Sequence, residues 1–352
     1  MGRVNKTILR AGLDTLYFSG GHRLANPFFS GIGAVLTFHH VRPRRPDGFQ
    51  PNRSLEITPE FLEEVIVGIK RSGIELVTID EAYRRLAEAD FRSRFVALTF
   101  DDGYRDNLVH ALPILKRHGA PVVLYAPSSF ADGSGDLWWI ALERAVAASS
   151  RIEVTIGGEA ISCECADDAG KDDAFRWLYW SLRGLASEPE MRAIIDDIAR
   201  RAGVDTSGIC RELCLDWTEL KSMASEPLVT IGAHTHSHIM LRRAPEGVAR
   251  AELKLGVERL EAKLGVRPKH LAFPVGDPTS AGPREFAIAE ELGFLTSVTT
   301  RPGVLFAEHR QHLQALPRIS VNGEFQRLRY LDVLLSGAPT ALMNGFRRVN
   351  AA

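Results

Sequence analysis

Short apolar runs that each give way to a helical pattern recur along this chain, and that alternation restricts its fold more than any other feature. The runs are AVLTFHHV (34–41), IELVTI (74–79), FVALTF (95–100), PVVLYAP (121–127), LVTIGAHT (228–235), HLAFPVG (270–276) and LTSVTT (295–300). Each is of strand length and rich in β-favouring residues. Helical patterns lie between them. One begins at Thr58 with Pro59 in its first position, carries Phe61, Val65, Ile66 and Ile69 on one face, and stops at Gly73. IDEAYRRLAEA (79–89) reads as a helix capped by Asp80, and residues 104–119, 246–265 and 283–294 follow the same rule. Repeated βα units with short apolar strands argue for a parallel sheet, and this many of them argue for a barrel. The expected fold class is therefore α/β, a distorted (β/α) barrel of about seven units.

Residues 131–215 break the rhythm. They hold a tryptophan-bearing helix at DLWWIALERAV, a hairpin at RIEVTIGGEAIS, an acidic stretch and further helix, and read as a helical and β insertion in the middle of the barrel. The expected organisation is an N-terminal extension over 1–30, one large domain over 31–335 that includes the insertion, and a C-terminal tail over 336–352. Residues 324–349 look like a single helix packed on the barrel. The first forty residues contain no unbroken apolar core of signal-peptide length, which points to a cytoplasmic protein with no membrane span. ILRAGLDTLYF (8–18) is an amphipathic helix, either packed on the body or making weak contact with a membrane surface.

The charge balance of 43 basic and 44 acidic residues, with no long block of one sign, argues against nucleic acid as a partner and for a small or uncharged substrate. Four cysteines lie at 163, 165, 210 and 214. Each pair shares a face of its element, but neither spacing is the usual C-x2-C of zinc ligands. Reduced core thiols are the expectation and a structural metal the alternative.

The chemistry concentrates in two stretches. ALTFDDGYRDN (97–107) sets Asp101 beside Asp102 at the end of a strand, where adjacent carboxylates destabilise one another unless a cation intervenes or one holds a proton. IGAHTHSHIML (231–241) sets His234 and His238 at the end of another strand, at a spacing that brings two imidazoles to one side. Barrel chemistry collects at the C-terminal ends of strands. Two imidazoles and one carboxylate make a three-ligand site with a position open for water, the form of a catalytic zinc centre. The second carboxylate then remains free as a general base. Read alone, Asp-Asp-Gly is equally well a turn or a helix cap.

TFDDGY and HTHSH together resemble the first two signature motifs of the polysaccharide deacetylase family, the NodB-homology domain of carbohydrate esterase family 4. The resemblance runs from about LTFHHV at 36 to LPRISV at 321, with the insertion excluded. It implies that Asp101 is the general base, that Asp102, His234 and His238 are the metal ligands, and that the backbone N–H of Tyr104 helps to hold the oxyanion. It also implies a carbohydrate substrate, and most directly removal of an N-acetyl group from an amino sugar in an oligosaccharide or glycan intermediate. The cofactor it implies is zinc or another divalent transition metal.

Two later motifs depart from the family pattern. Ala272 stands where an arginine often orients the base, and Arg318 of LPRIS is a candidate to supply that charge. No Leu-x-His motif is present to supply the general acid, for which His39 is favoured over His236 and His312. Thr235 either hydrogen-bonds within the site or is a loop residue. Trp138 and Trp139 either form a platform for a sugar ring or pack inside the insertion. An O-acetyl esterase or an amino-sugar deformylase uses the same residues, and the altered motifs also suit a non-catalytic sugar-binding barrel.

Overall fold

The computed structural model describes residues 6–351. Seven parallel strands close on themselves in chain order: β1 (Gly33–Phe38), β2 (Phe95–Phe100), β3 (Val122–Ala126), β4 (Val229–Ala233), β5 (His270–Ala272), β6 (Thr296–Pro302) and β7 (Leu316–Ser320), which returns to β1. The barrel of about seven units expected from the alternation is the one that forms. The 74–79 run is a short strand, Glu75–Val77, outside the closed ring. It pairs with Phe95–Ala97 of β2, while β3 takes the same edge over Leu98–Phe100.

Every residue of β1 and β2 is buried, because helices cover the outer face and side chains fill the interior. Alternation divides the strand residues between two cores. Val35, Phe95, Ala97, Val123, Ala272 and Leu316 belong to one cluster. Leu36, Val96, Leu98 and Phe100 pack outward on Leu62, Val65 and Ile66 of the Pro59–Arg71 helix. Asp101 continues the inward parity of Phe95, Ala97 and Thr99. The chain then leaves the strand through Asp102 and Gly103, both with left-handed backbone, at φ of 72° and 66°.

Local signals explain most helix boundaries. Thr58 caps its helix by accepting from Phe61 N, with Pro59 in the first turn. The Ile79–Ala87 helix is capped by Thr78, which accepts from Glu81 N. Asp80 already lies inside the first turn, and its carboxylate is 3.3 Å from His270 Nε2. The C-terminal segment forms two helices, Leu328–Leu335 and Ala338–Met343, where the sequence suggested one. The break is at Gly337, whose φ of 71° and close approach to Phe29 O exclude any side chain. No helix among the described residues is long and apolar enough to cross a membrane.

Residues 131–215 contain the expected hairpin, Arg151–Ile156 with Glu159–Glu164, and build a second apolar core against the barrel mouth. Trp138 and Trp139 lie buried in that core, so neither offers a face to a sugar from solution. All four cysteines are free thiols. They do not join a metal site: among the described residues, the one group of three or more metal-binding side chains is Asp102, His234 and His238.

The Glu246–Leu264 helix packs so closely under the loop after β4 that a Cβ on Gly256 would come within 2.6 Å of Thr235 carbonyl atoms. Gly256→Ala is therefore expected to destabilise the fold by about 1–3 kcal/mol, the usual range for overpacking, and to weaken metal binding with it. Gly247→Ala, in open space on the same helix, should leave the denaturation midpoint unchanged or raise it. Urea titrations of both variants check the pair of outcomes.

Candidate active site

The loops after β2 and β4 bring three side chains to one point. Asp102 Oδ1 lies 3.3 Å from His234 Nε2 and 3.2 Å from His238 Nε2, and all three residues are buried. That oxygen has no hydrogen-bond partner in satisfactory geometry, although it is out of contact with solvent. A buried carboxylate oxygen facing two imidazole nitrogens without hydrogen-bonding either is what a shared cation resolves. His234 Nδ1 donates to Ala272 O at 2.7 Å, which leaves the Nε2 lone pair directed at Asp102. The donor set and its burial fit a divalent transition metal. Burial raises the Asp102 pKa, but the two facing imidazoles outweigh it and hold the carboxyl well below its usual range.

The ligand loop is held from two sides. Thr235 and His238 have φ of 62° and 56°, conformations that non-glycine residues adopt only when their surroundings impose them. Thr235 Oγ1 accepts from His238 N at 3.0 Å. Glu252 of the Glu246–Leu264 helix accepts from His236 N, Ser237 N and Ser237 Oγ. From the inserted segment, Glu188 accepts from Met240 N at 2.7 Å, and Arg192 donates to His238 O at 3.2 Å. The Trp139 ring lies 5.1 Å from that of His238.

Asp101 has a different partner. Arg318, fully buried in β7, donates to Asp101 Oδ1 at 2.7 Å and Oδ2 at 2.6 Å. The same guanidinium donates to Thr299 O and to Thr99 Oγ1, so four hydrogen bonds fix its plane. Burial raises the Asp101 pKa, and the Arg318 charge and hydrogen bonds more than offset this, so the carboxyl stays below its ordinary value. The Asp pair is thus divided, one member facing the imidazoles and the other an arginine.

Tyr104 is wholly buried beside the pair, and its backbone forms an isolated bridge with Cys214. Trp139 Nε1 donates to its hydroxyl at 3.2 Å, and burial together with the Asp102 charge pushes the phenol pKa well up. His39 is half-buried at the mouth, where burial lowers its pKa against the opposing charges of Asp102 and Asp101. Of the other acid candidates, His236 is hydrogen-bonded to Ser128 Oγ and is not in the metal group, and His312 is exposed just before the N-terminal end of β7.

Several residues escaped the sequence reading. His40 stacks on the Tyr104 ring with centroids 3.5 Å apart, and its Nδ1 pairs with Asp106 at 2.6 Å. Asn107 holds His39 O at 2.8 Å, and Asp106 accepts from Val41 N. The end of the DDGYRDN motif therefore straps the first loop to the second. Glu252, Glu188 and Arg192 stand far from either motif, in helices whose pattern gives no sign of a site.

Comparison with known proteins follows the same lines. The search of curated proteins finds no match. Among solved structures, the chain resembles the Streptococcus pyogenes deacetylase PplD in complex with acetate, at 18% identity and a TM-score of 0.57 over 86% of this chain and 97% of that one. It also resembles IcaB from Ammonifex degensii, at 17% and 0.53 over 87% and 96%. A de-N-acetylase from Aggregatibacter actinomycetemcomitans follows at 13% and 0.54 over 86% and 99%. At these identities the likeness is one of fold. The family signature described as Polysaccharide deacetylase matches residues 88–155 and 180–296, pausing inside the inserted segment. Since that match takes in 185 of the 352 residues and both the Asp pair and the histidine loop, the chain belongs to the polysaccharide deacetylase family.

Proposed function

We propose that this protein is a metal-dependent carbohydrate deacetylase that removes an N-acetyl group from an amino sugar within a glycan. The observation that carries this reading is the division of the buried Asp pair, with Asp102 set against His234 and His238 and Asp101 against Arg318. Membership of the family supports hydrolysis of an acetylated carbohydrate.

Asp102, His234 and His238 would hold the cation, for which zinc is the best match to the donor set. Such an ion supplies a Lewis acid for the acetyl oxygen and makes water more acidic. Asp101 accepts the proton of the attacking water. Its carboxylate oxygens keep further lone pairs beyond those engaged by Arg318, and the low pKa keeps it ready to accept. Arg318 fixes the direction of that base, the place left vacant by Ala272. The Tyr104 backbone N–H is assigned to the developing oxyanion, and His39 to proton donation to the departing amine. Burial of Trp139 and Phe130 against His238 keeps water out of one side of the site.

Acetate release from N-acetylglucosamine oligomers, measured beside metal content, tests the assignment. Asp101→Asn should retain the metal and lose roughly 10²–10⁴-fold in turnover, the range for a general base. His234→Ala should lose both metal and activity. Activity that persists in Asp101→Asn would sink the proposed base, and acetate released from acetylated xylan alone would make the protein an O-acetyl esterase.

Dialysis against a chelator should abolish turnover, and zinc should restore it. Chelator-resistant acetate release would overturn the metal dependence.

Arg318→Met strands a buried carboxylate and should cost about 3–5 kcal/mol of stability, as broken buried ion pairs do. Arg318→Lys keeps the charge without the fork and should lower kcat while leaving KM near its original value. Chemical denaturation and steady-state kinetics distinguish the two effects.

A further inference from the structure

The two chain ends come together in the structure. The Lys6–Phe18 helix packs Leu13 against Tyr330 and Val333 of the Leu328–Leu335 helix. The Gly21–Phe29 helix lies on the Ala338–Met343 helix, with the Phe29 and Phe346 rings 5.8 Å apart. Arg94, just ahead of β2, donates to Ser30 O and Leu335 O. The part of the seam formed by the Gly21–Phe29 and Ala338–Met343 helices thus sits toward the N-terminal ends of the strands, away from the ligand loops.

Packing satisfies the inner faces of these helices and leaves an apolar surplus outside. Phe18, Leu24, Phe28, Leu342, Met343 and Phe346 are all more than half exposed, and these short segments hold most of the large exposed apolar side chains among the described residues. A surface of this kind marks a contact with another phase or molecule. Its charge selects between them. Among the described side chains of residues 7–30 and 338–350 there are four arginines, Arg10, Arg23, Arg347 and Arg348, and a single acid, and the adjoining Leu328–Leu335 helix adds Arg329 and the exposed Asp332, which lies beside Arg23. The single acid, Asp14, is turned to the body by Arg329 and the Tyr330 hydroxyl. Arg23 and Arg347 are exposed, and Glu308, paired with Arg348, is an acidic residue bordering the tail. A second copy of this face would oppose like charges, but an anionic lipid surface complements both its charge and its apolar side chains.

We propose that the paired chain ends form a docking surface for anionic membrane lipid, independent of the catalytic reading. The amphipathic first helix is packed on the body and touches the bilayer at once, because each role uses a different face. The aromatic and aliphatic side chains enter the interface, and the arginines meet the headgroups.

Cosedimentation with phosphatidylcholine vesicles, with and without phosphatidylglycerol, tests this on the full chain. Binding is expected to the mixed vesicles, to weaken as salt rises, and to fall roughly ten-fold or more in Leu24→Asp/Phe28→Asp as two exposed apolar side chains that would enter the lipid are lost. Arg23→Glu should weaken it about five-fold or more. Both variants should keep the wild-type circular dichroism and metal content, which separates lost docking from lost fold. Absence of binding to mixed vesicles, or equal binding to phosphatidylcholine alone, overturns the proposal. So does a wild-type dimer in light scattering that Leu24→Asp/Phe28→Asp dissociates, which would make the face a contact between copies.

Discussion

Two neighbouring carboxylates nearly removed from solvent set the terms for the rest of this structure. Burial alone would drive both toward the neutral form, since the effective penalty for each buried ion is several kcal/mol. Asp101 and Asp102 escape this by acquiring separate counter-groups, Arg318 for one and the imidazoles of His234 and His238 for the other. These partners come from different parts of the barrel. The arginine arrives on the last strand, more than two hundred residues after the aspartate it holds, and its side chain also bonds Thr99 on β2 and Thr299 on β6. Closure of the ring is thus an electrostatic condition as well as a topological one: without β7 against β1, the charge that stabilises Asp101 is absent.

This dependence explains which parts were legible in the sequence. Strands β1 and β2, the Thr58 cap and the spacing of His234 and His238 are local features, written in periodicity and turn chemistry, and they stand where the pattern places them. The Asp102–His234–His238 cluster follows from two such features on strands of one barrel. Local pattern fails where the deciding contact is distant. Gly337 breaks the final helix because Phe29 O lies against it, a proximity that no window of the sequence contains. Trp138 and Trp139 looked as suited to a sugar as to a core until the Glu188–Arg201 helix and Tyr104 covered them. The cap at Thr78 in place of Asp80 is a smaller failure of the same kind, for both residues have capping chemistry and a shift of two positions decides between them.

The inserted segment gains a function from these contacts. Glu188 and Arg192 bind the backbone at Met240 N and His238 O, and Arg192 is itself held by Glu188 and Asp136. On the other side of the loop, Glu252 fixes His236 and Ser237. The left-handed backbone at Thr235 and His238 costs of order 1–3 kcal/mol each and persists because both braces are present. The inserted residues are therefore part of the support that sets the ligand geometry, not a separate appendage.

The same logic separates the two ends of the barrel. At the mouth, the Asp pair is buried and each carboxylate faces its own partner side chains. At the opposite end, apolar side chains are exposed beside Arg23 and Arg347, an arrangement that fixes no partner atom and suits a soft surface. Because Arg94 ties that seam to the start of β2, six residues before Asp101, the two ends share one rigid strand. A lipid surface held at the seam would leave the mouth turned away from it, open to glycan chains that reach out from that surface rather than to its headgroups.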